Sequence, residues 1–304
     1  MKDHDLLEAV GGINEKFINN ASTIKAKKSK KGYFKWIAAV ACLCVVVISI
    51  PFINRVFQEK GNHDPAVNEG NDSLVEDMRN LEFNGAYYEA TDIPEVLERF
   101  GLPSAISESM CGKHIAYLTS DGGVGYKEAV EETDIELLEY LPAPCRGVYI
   151  IKDGDKYYAA LFCNIIQLDE NQAAEMDTLY QFYNVHNAED IANIAEVDWN
   201  RNSITGSTIT ERTEIENFYD LSKMLEGFGN ADFQGMVFDG IPEEEQQKLH
   251  QAFADDLRMI RIETKEGLRF YIEIYPSYNW IYGNGTMSYY QISEQMAEWI
   301  NNNL

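Results

Sequence analysis

Residues 146–164 read RGVYIIKDGDKYYAALFCN and show most clearly how this chain folds. Two runs rich in β-branched and aromatic residues flank the turn-forming triplet DGD at 153–155, and this pattern is typical of a β-hairpin. If the loop has three residues centred on Gly154, Cys145 and Cys163 lie opposite one another within disulfide reach. Free buried thiols are the alternative, because a shift of one residue in register removes the pairing.

A second stretch, RMIRIETKEGLRFYIEIYP at 258–276, repeats the hairpin pattern with Glu266-Gly267 in the place of the first glycine turn. The Asn284-Gly285 pair, followed by two tyrosines, is similar to Asn84-Gly85, which also precedes two tyrosines. Duplication into two related subdomains would explain both similarities. Shared turn chemistry is the alternative explanation.

Apolar residues at helical spacing occur between the hairpins. They predict helices at about 171–183, 188–194, 210–225 and 242–254. Together with the hairpins, these helices predict an α+β fold for residues 78–304, built of helices and antiparallel sheet, with a possible subdivision near 200–210.

The apolar run from Trp36 to Ile53 contains no charged residue. At about 1.5 Å per residue such a helix reaches roughly 27 Å, which is close to the hydrocarbon thickness of a bilayer. A buried helix of a globular protein usually keeps a polar stripe, and a cleaved export signal needs a small-residue cleavage site after the run. Neither feature is present, so the run predicts a single transmembrane helix at 36–53.

Charge predicts the orientation of that helix. Lysines cluster just before the apolar run, between Lys25 and Lys35, whereas acidic residues dominate after it, and the whole chain has a formal net charge of −25. The positive-inside rule then places residues 1–35 in the cytoplasm and the long C-terminal region outside the cell membrane. An acidic exterior disfavours nucleic acid as a partner and is compatible with cations or basic peptides.

The segment before the lysines has an amphipathic helical pattern over residues 3–21. Its apolar side is represented by Leu6, Leu7, Phe17 and Ile18. These residues are candidates for docking a cytoplasmic regulatory protein, and the inner leaflet of the membrane is the alternative surface. Residues 54–77 after the apolar run are polar and lack periodicity, which predicts a flexible stalk.

The first fifty residues also carry a resemblance to a known group of proteins. The matching pattern consists of Leu6-Leu7 with Ala9-Val10-Gly11 and Ile13, then Lys16-Phe17-Ile18, Ala21, the lysine cluster, Trp36 and Ala41-Cys42-Leu43-Cys44. This pattern resembles the start of uncharacterised single-pass membrane proteins of Gram-positive anaerobes, some of which look like anti-sigma-factor regulators. The resemblance implies a transmembrane regulator that passes a signal to a cytoplasmic partner.

Motifs for catalysis and for metal binding are absent from the sequence. The histidines are dispersed, and no HExxH, CxxC, GxSxG, SxxK, Walker or dinucleotide-binding motif is present. No catalytic residue, metal ligand or cofactor is therefore predicted. A carboxylate pair for glycoside hydrolysis could lie among the many acidic residues, but nothing in the sequence selects it.

Two aromatic stretches are candidates for ligand binding. Tyr278, Trp280 and Tyr282 lie among turn-forming residues, and Trp199 and Arg201 lie two residues apart near a second turn. Exposed aromatic rings can stack on a cell-wall glycan or on a peptide, and packing in the core is the alternative for the same residues. The sequence therefore predicts a binding or sensor protein, with an envelope hydrolase or a structural envelope protein as alternatives.

Overall fold

The computed structural model describes residues 79–120, 125–167 and 172–304. This part of the chain is mostly β, with two seven-stranded sheets, one of which closes into a barrel. The predicted α+β fold class is therefore wrong. Residues 111–140 supply three strands of the barrel where the sequence pattern predicted none. Their pairing contains register shifts, which break the alternation of polar and apolar residues that a strand normally shows.

The N-terminal sheet is a closed barrel in which every pair of neighbouring strands is antiparallel except one. Closure comes from the parallel pairing of the first strand with the fourth, and the strand order around the barrel is β1-β2-β7-β6-β5-β3-β4. Its strands are β1 (Arg79–Phe83), β2 (Ala86–Thr91), β3 (Cys111–Ser120), β4 (Gly125–Glu128), β5 (Ile135–Tyr140), β6 (Val148–Asp153) and β7 (Lys156–Ile165).

The C-terminal sheet is open and antiparallel throughout, in the order β10-β14-β13-β12-β11-β8-β9. Its strands are β8 (Ile191–Val197), β9 (Ile204–Ile209), β10 (Gly227–Phe228), β11 (Arg258–Thr264), β12 (Arg269–Tyr275), β13 (Trp280–Gly283) and β14 (Ser288–Gln291). The change from barrel to open sheet falls between Ile165 and Ile191, which is earlier than the predicted subdivision near 200–210.

Six α-helices connect or cover these sheets in the described residues. They are α1 (Pro94–Arg99), α2 (Met176–Phe182), α3 (Arg212–Ser222), α4 (Asn230–Phe238), α5 (Glu243–Asp256) and α6 (Glu294–Asn303). The helix predicted at 188–194 is wrong, because only a short 3₁₀ turn at Ala188–Asp190 precedes strand β8 there. The remaining three predicted helices correspond to α2, α3 and α5 with shifted ends.

One hydrophobic core joins the barrel to the open sheet, and helix α2 lies between them. Phe162 of the barrel stacks on Phe182 at the end of α2, with ring centroids 3.9 Å apart. Tyr183, the next residue, stacks on Phe270 of β12 at 4.6 Å. The face of the open sheet that carries Phe270 is therefore buried against the barrel side, and the opposite face is left for the helices and loops described below.

The end of helix α1 is held by strand β12. The backbone N–H of Arg269 donates to the carbonyl of Phe100 at 3.0 Å, and the hydroxyl of Tyr271 donates to the carbonyl of Arg99 at 2.6 Å. These bonds satisfy carbonyl groups that a helix end otherwise leaves unpaired. Gly101 follows with φ 79°, and a side chain there would collide with the backbone of Gly267.

The first hairpin forms as predicted, but its loop has two residues instead of three. Asp153 pairs with Lys156, and the same register, continued back along both strands, places Arg146 opposite Cys163. Cys145 and Cys163 are accordingly free thiols, so the predicted disulfide is wrong. The loop is one residue shorter than predicted, and the resulting change in register moves the side chains of Cys145 and Cys163 out of direct opposition.

We expect Cys145 and Cys163 to be recovered as unlinked thiols. Desolvation raises the pKa of the Cys145 thiol to about 11, so Cys145 forms little reactive thiolate at neutral pH. Alkylation of the unfolded chain without reductant, followed by mass spectrometry, should label both residues. A peptide pair cross-linked through these cysteines would contradict the observed register.

The two sheets are not copies of one subdomain, so the predicted duplication is also wrong. The hairpin β6–β7 belongs to a closed barrel, whereas β11–β12 lies in the middle of an open sheet. The Asn-Gly turns also differ in order, since the first precedes its barrel hairpin and the second follows its sheet hairpin. Shared turn chemistry accounts for the sequence similarity.

Among the described helices, none has the length and apolar character needed to cross a membrane. The predicted transmembrane helix at 36–53 lies outside the described residues, as do the cytoplasmic segment 1–35 and the stalk 54–77. The single-pass topology, with its cytoplasmic N-terminus and extracytoplasmic C-terminal region in the cell membrane, is therefore not supported. The prediction is withdrawn.

Candidate functional site

A row of side chains crosses the face of the open sheet opposite to the face that carries Phe270. Strand pairing places Val197 opposite Met259, Met259 opposite Glu273, Glu273 opposite Tyr282, and Tyr282 opposite Tyr289. Residues directly opposite one another in antiparallel strands share a face and lie in contact distance. The row is therefore apolar at one end and has a carboxylate followed by two phenols in its middle.

Glu273 is a half-buried carboxylate that is held by neutral groups. Its Oε1 accepts from Nδ2 of Asn284 at 2.9 Å, and its Oε2 accepts from the hydroxyl of Tyr275 at 3.0 Å. Desolvation raises the pKa of this carboxyl, and the two hydrogen bonds and the charge of Arg201 oppose the rise only in part. No ion pair reaches Glu273 from the described residues.

The phenols of Tyr282 and Tyr289 lie beside this carboxylate. Their ring centroids are 4.8 Å apart, and Tyr289 also stacks on Phe233 of helix α4 at 3.6 Å. Burial raises the pKa of both phenols, and the charge of Glu273 adds to the rise, so both stay neutral. Neither hydroxyl has a hydrogen-bond partner within the described residues. They are thus available to donate to a ligand.

Arg201 approaches the same face from the loop between β8 and β9. Its guanidinium lies over the ring of Tyr271, 4.7 Å from the centroid. The loop is held by Asp198, whose Oδ1 accepts the backbone N–H of Asn202 at 2.7 Å. Arg201 itself has φ 61°, a left-handed conformation that is uncommon for an arginine. Burial lowers the pKa of its guanidinium, although not enough to remove the charge.

The structure separates the aromatic candidates of the sequence into two groups. Trp280 is buried, and Tyr278 stacks on Phe253 of helix α5 at 4.1 Å, so both pack in an aromatic cluster under helices α4 and α5. Trp199 packs beside Val197, Met259 and Tyr271. These three residues therefore follow the core-packing alternative.

Two of the predicted residues, Tyr282 and Arg201, are brought together around Glu273. Glu273 is not predicted from the sequence, because a glutamate in an alternating strand usually points into solvent. One signal was available: Tyr271, Glu273 and Tyr275 alternate along β12, and so they must share one face. A carboxylate between two tyrosines on a single face is an uncommon environment for an ionised group.

A concave surface lies along helix α3, away from the Glu273 side chain, but has no comparable chemistry. It is a shallow groove of about 480 Å³ that is open to solvent and lined in part by Asn187, Glu189 and Tyr219. Its charged side chains pair with one another, Arg212 with Glu216 and Lys223 with Asp220. Since exposed pairs of this kind are typical of a solvated surface, the groove is not a candidate site.

In the described ranges, no group of three or more metal-type side chains is close enough to hold an ion. The predicted docking residues Leu6, Leu7, Phe17 and Ile18 lie outside the described residues, and so does the proposed contact region 3–21. The candidate site is therefore the face around Glu273, which we call the Glu273 face and define by Arg201, Tyr271, Glu273, Tyr275, Tyr282, Asn284 and Tyr289.

Replacing Glu273 with glutamine should stabilise the protein at neutral pH. The folded pKa of Glu273 is raised, so its contribution to stability is full below the unfolded pKa of about 4.3 and is lost as pH rises through the folded value. Glutamine removes the charge; its Oε1 can still accept from Asn284, and its Nε2 can donate to the hydroxyl oxygen of Tyr275, which reverses the direction of that hydrogen bond. The melting temperature of Glu273→Gln should exceed that of the wild type at neutral pH, and the difference should shrink toward about pH 4.

The matched control is Glu298→Gln, which removes the same charge from an exposed position on helix α6. It should leave the melting temperature nearly unchanged, because exposed charges contribute little to stability. A Glu273→Gln protein that is less stable than the wild type at neutral pH would show that the ionised carboxylate stabilises the fold. In that case Glu273 would be a structural residue.

Comparison of the chain with protein-family models, with curated proteins and with solved structures found no match.

Proposed function

We propose that this protein is a binding module and that its ligand presents an organic cation to Glu273. The observation that carries the proposal concerns Glu273. Its carboxylate is half-buried and accepts two hydrogen bonds, but no cationic side chain of the described residues lies in ion-pair contact with it. Charges removed from water are normally paired, because an unpaired buried charge is costly. A ligand ammonium or guanidinium group would supply the missing partner.

The surrounding groups suit a cation. The ring of Tyr282 lies beside the carboxylate, and aromatic faces attract ammonium and guanidinium groups; the ring of Tyr289 packs against Tyr282 and is covered by Phe233. The chain has a formal net charge of −25, which raises the local concentration of cations and repels nucleic acid. An amine carried by a small molecule and a basic side chain carried by a peptide both satisfy this chemistry.

A hydrolase is less well supported by the same face. Glycoside hydrolysis with two carboxylates needs them within about 5–9.5 Å of each other. Among the described residues, the side chains that donate hydrogen bonds to the Glu273 carboxyl group are Asn284 and Tyr275, and neither is a carboxylate. A single carboxylate between tyrosines is suited to holding a cation.

The test is a calorimetric titration of the purified full chain with phenethylammonium, using phenethyl alcohol as the neutral control. The ammonium should bind and the alcohol should not, since only the former pairs with Glu273. A hydrogen bond to a charged group contributes about 1.5–3 kcal/mol, so Glu273→Gln should weaken binding by about 10-fold to 100-fold.

Glu298→Gln again serves as the charge-matched control and should bind like the wild type. Equal heats for the ammonium and the alcohol would contradict the proposal. Unchanged affinity in Glu273→Gln would contradict it as well, because the cation would then bind elsewhere on an acidic surface.

A further inference from the structure

Arg201 is the second unpaired charge on the Glu273 face. Its guanidinium contacts the ring of Tyr271 but makes no hydrogen bond or ion pair to any described residue. Every other arginine of the described residues that faces this side of the sheet has an acceptor: Arg261 approaches Glu263, and Arg269 donates to Glu263 at 2.7 Å. Arg201 therefore keeps its donors available, although burial makes an unpaired cation costly.

Arg201 lies over the ring of Tyr271, which is two residues from Glu273 on the same face of β12, yet Arg201 and Glu273 do not form an ion pair. Two unpaired opposite charges on one face normally close into a salt bridge when their side chains can reach. Here the two side chains are held apart. Tyr275 and Asn284 hold the carboxylate, and the Tyr271 ring holds the guanidinium.

The loop that carries Arg201 is also built to hold this position. Asp198 accepts the backbone N–H groups of Asn202 at 2.7 Å and of Ser203 at 3.3 Å, and the N–H of Arg201 donates to the carbonyl of Asp198 at 2.8 Å. Arg99 of helix α1 donates to the side chain of Asn202 at 2.9 Å. A guanidinium held in place before binding loses less entropy when a ligand arrives.

We infer that the ligand of the Glu273 face is zwitterionic, with an ammonium group that pairs with Glu273 and an acidic group that pairs with Arg201. An amino acid with a free amine and a free carboxylate is the simplest member of this class. The inference depends on the proposed binding function, to which it adds the second charge. The apolar part of the ligand would lie against the ring of Tyr282.

Three probes with the same phenyl group separate the two charges: phenylalanine carries both, phenethylammonium only the cation and hydrocinnamate only the anion. In calorimetric titrations of the full chain, phenylalanine should bind at least about 10-fold more tightly than phenethylammonium, since a charge-assisted hydrogen bond contributes about 1.5–3 kcal/mol. Hydrocinnamate should bind most weakly, because the chain is strongly acidic.

The decisive variant is Arg201→Asn, because asparagine tolerates the left-handed conformation at this position and removes the charge. It should abolish the advantage of phenylalanine over phenethylammonium. Arg201→Lys keeps the charge without the planar fork, so it should keep part of the advantage. Unchanged near-ultraviolet circular dichroism establishes that each variant is folded.

The possible outcomes distinguish the two proposals. Equal affinities for phenylalanine and phenethylammonium in the wild type would overturn the zwitterion inference and leave the cation site in place. An advantage for phenylalanine that persists in Arg201→Asn would overturn the role of Arg201. Binding that does not depend on Glu273 would overturn the proposed function itself.

Discussion

Replacing Gly101 with alanine is expected to destabilise the protein by about 4 kcal/mol. The left-handed backbone at φ 79° costs a non-glycine residue about 1–2 kcal/mol, and overpacking adds about 1–3 kcal/mol. The added Cβ would lie 1.8 Å from the carbonyl oxygen of Gly267, which belongs to backbone and cannot rotate away. Helix α1 and the β11–β12 hairpin would have to separate.

Gly85→Ala is the matched control, because Gly85 has nearly the same φ of 77° but no atom within 4 Å of the added Cβ. Gly85→Ala should lose only the stability that the left-handed backbone costs a non-glycine residue, about 1–2 kcal/mol. Urea denaturation of both variants, monitored by circular dichroism, measures the difference. Equal losses at the two positions would show that the contact between Gly101 and Gly267 is looser than described.

Phe270→Ala is expected to destabilise the protein by about 3–5 kcal/mol, the range for removing a buried aromatic ring. Phe270 is 2% exposed and stacks on Tyr183, which follows the helix that packs against the barrel. Because barrel and open sheet share this core, the variant should still unfold in one transition at lower denaturant.

Tyr87→Ala is the control for that variant, since the Tyr87 side chain is 41% exposed on strand β2. Its stability should stay within about 0.5 kcal/mol of the wild type. The unfolding curves are followed both by tyrosine fluorescence and by far-ultraviolet circular dichroism. Two separate transitions in Phe270→Ala would contradict a common core, because the barrel would then unfold independently of the open sheet.

The hairpins were predictable because their turns and alternation are local features of the sequence. The hairpin at 146–164 forms where the pattern places it, but the loop length is set by pairing along the whole of β6 and β7. A glycine at φ 59° fits a two-residue turn as well as a three-residue one. The register, and with it the state of Cys145 and Cys163, therefore could not be decided from the sequence.

The barrel could not be predicted, because its closing contact is not local. Strand β1 pairs with β4 in parallel, and nothing in either short strand specifies the other. Segment 188–194 shows the opposite error: Ile191, Ile194 and Ala195 have helical spacing, yet they lie in strand β8 between β9 and β11. Burial on both sides of a sheet removes the alternation that identifies a strand.

Two of the seven residues of the candidate site were predictable in the same sense. Tyr282 and Arg201 were predicted because the first is a polar aromatic residue and the second a cationic residue, and both lie near turns. Glu273 acquires its significance only from the strands on either side of it, which place Tyr282 opposite and bring Asn284 into hydrogen-bond distance. A residue whose environment comes from tertiary packing gives no local signal of its role.

The most direct measurement of the central claim is the pKa of Glu273 itself, followed by carbon-13 NMR of the glutamate carboxyl groups with and without phenethylammonium. The Glu273→Gln spectrum identifies the resonance. We predict that the pKa of Glu273 is raised in the free protein and falls when the ammonium binds, because a cation stabilises the ionised carboxylate. A Glu273 pKa that is unchanged at saturating phenethylammonium would contradict it.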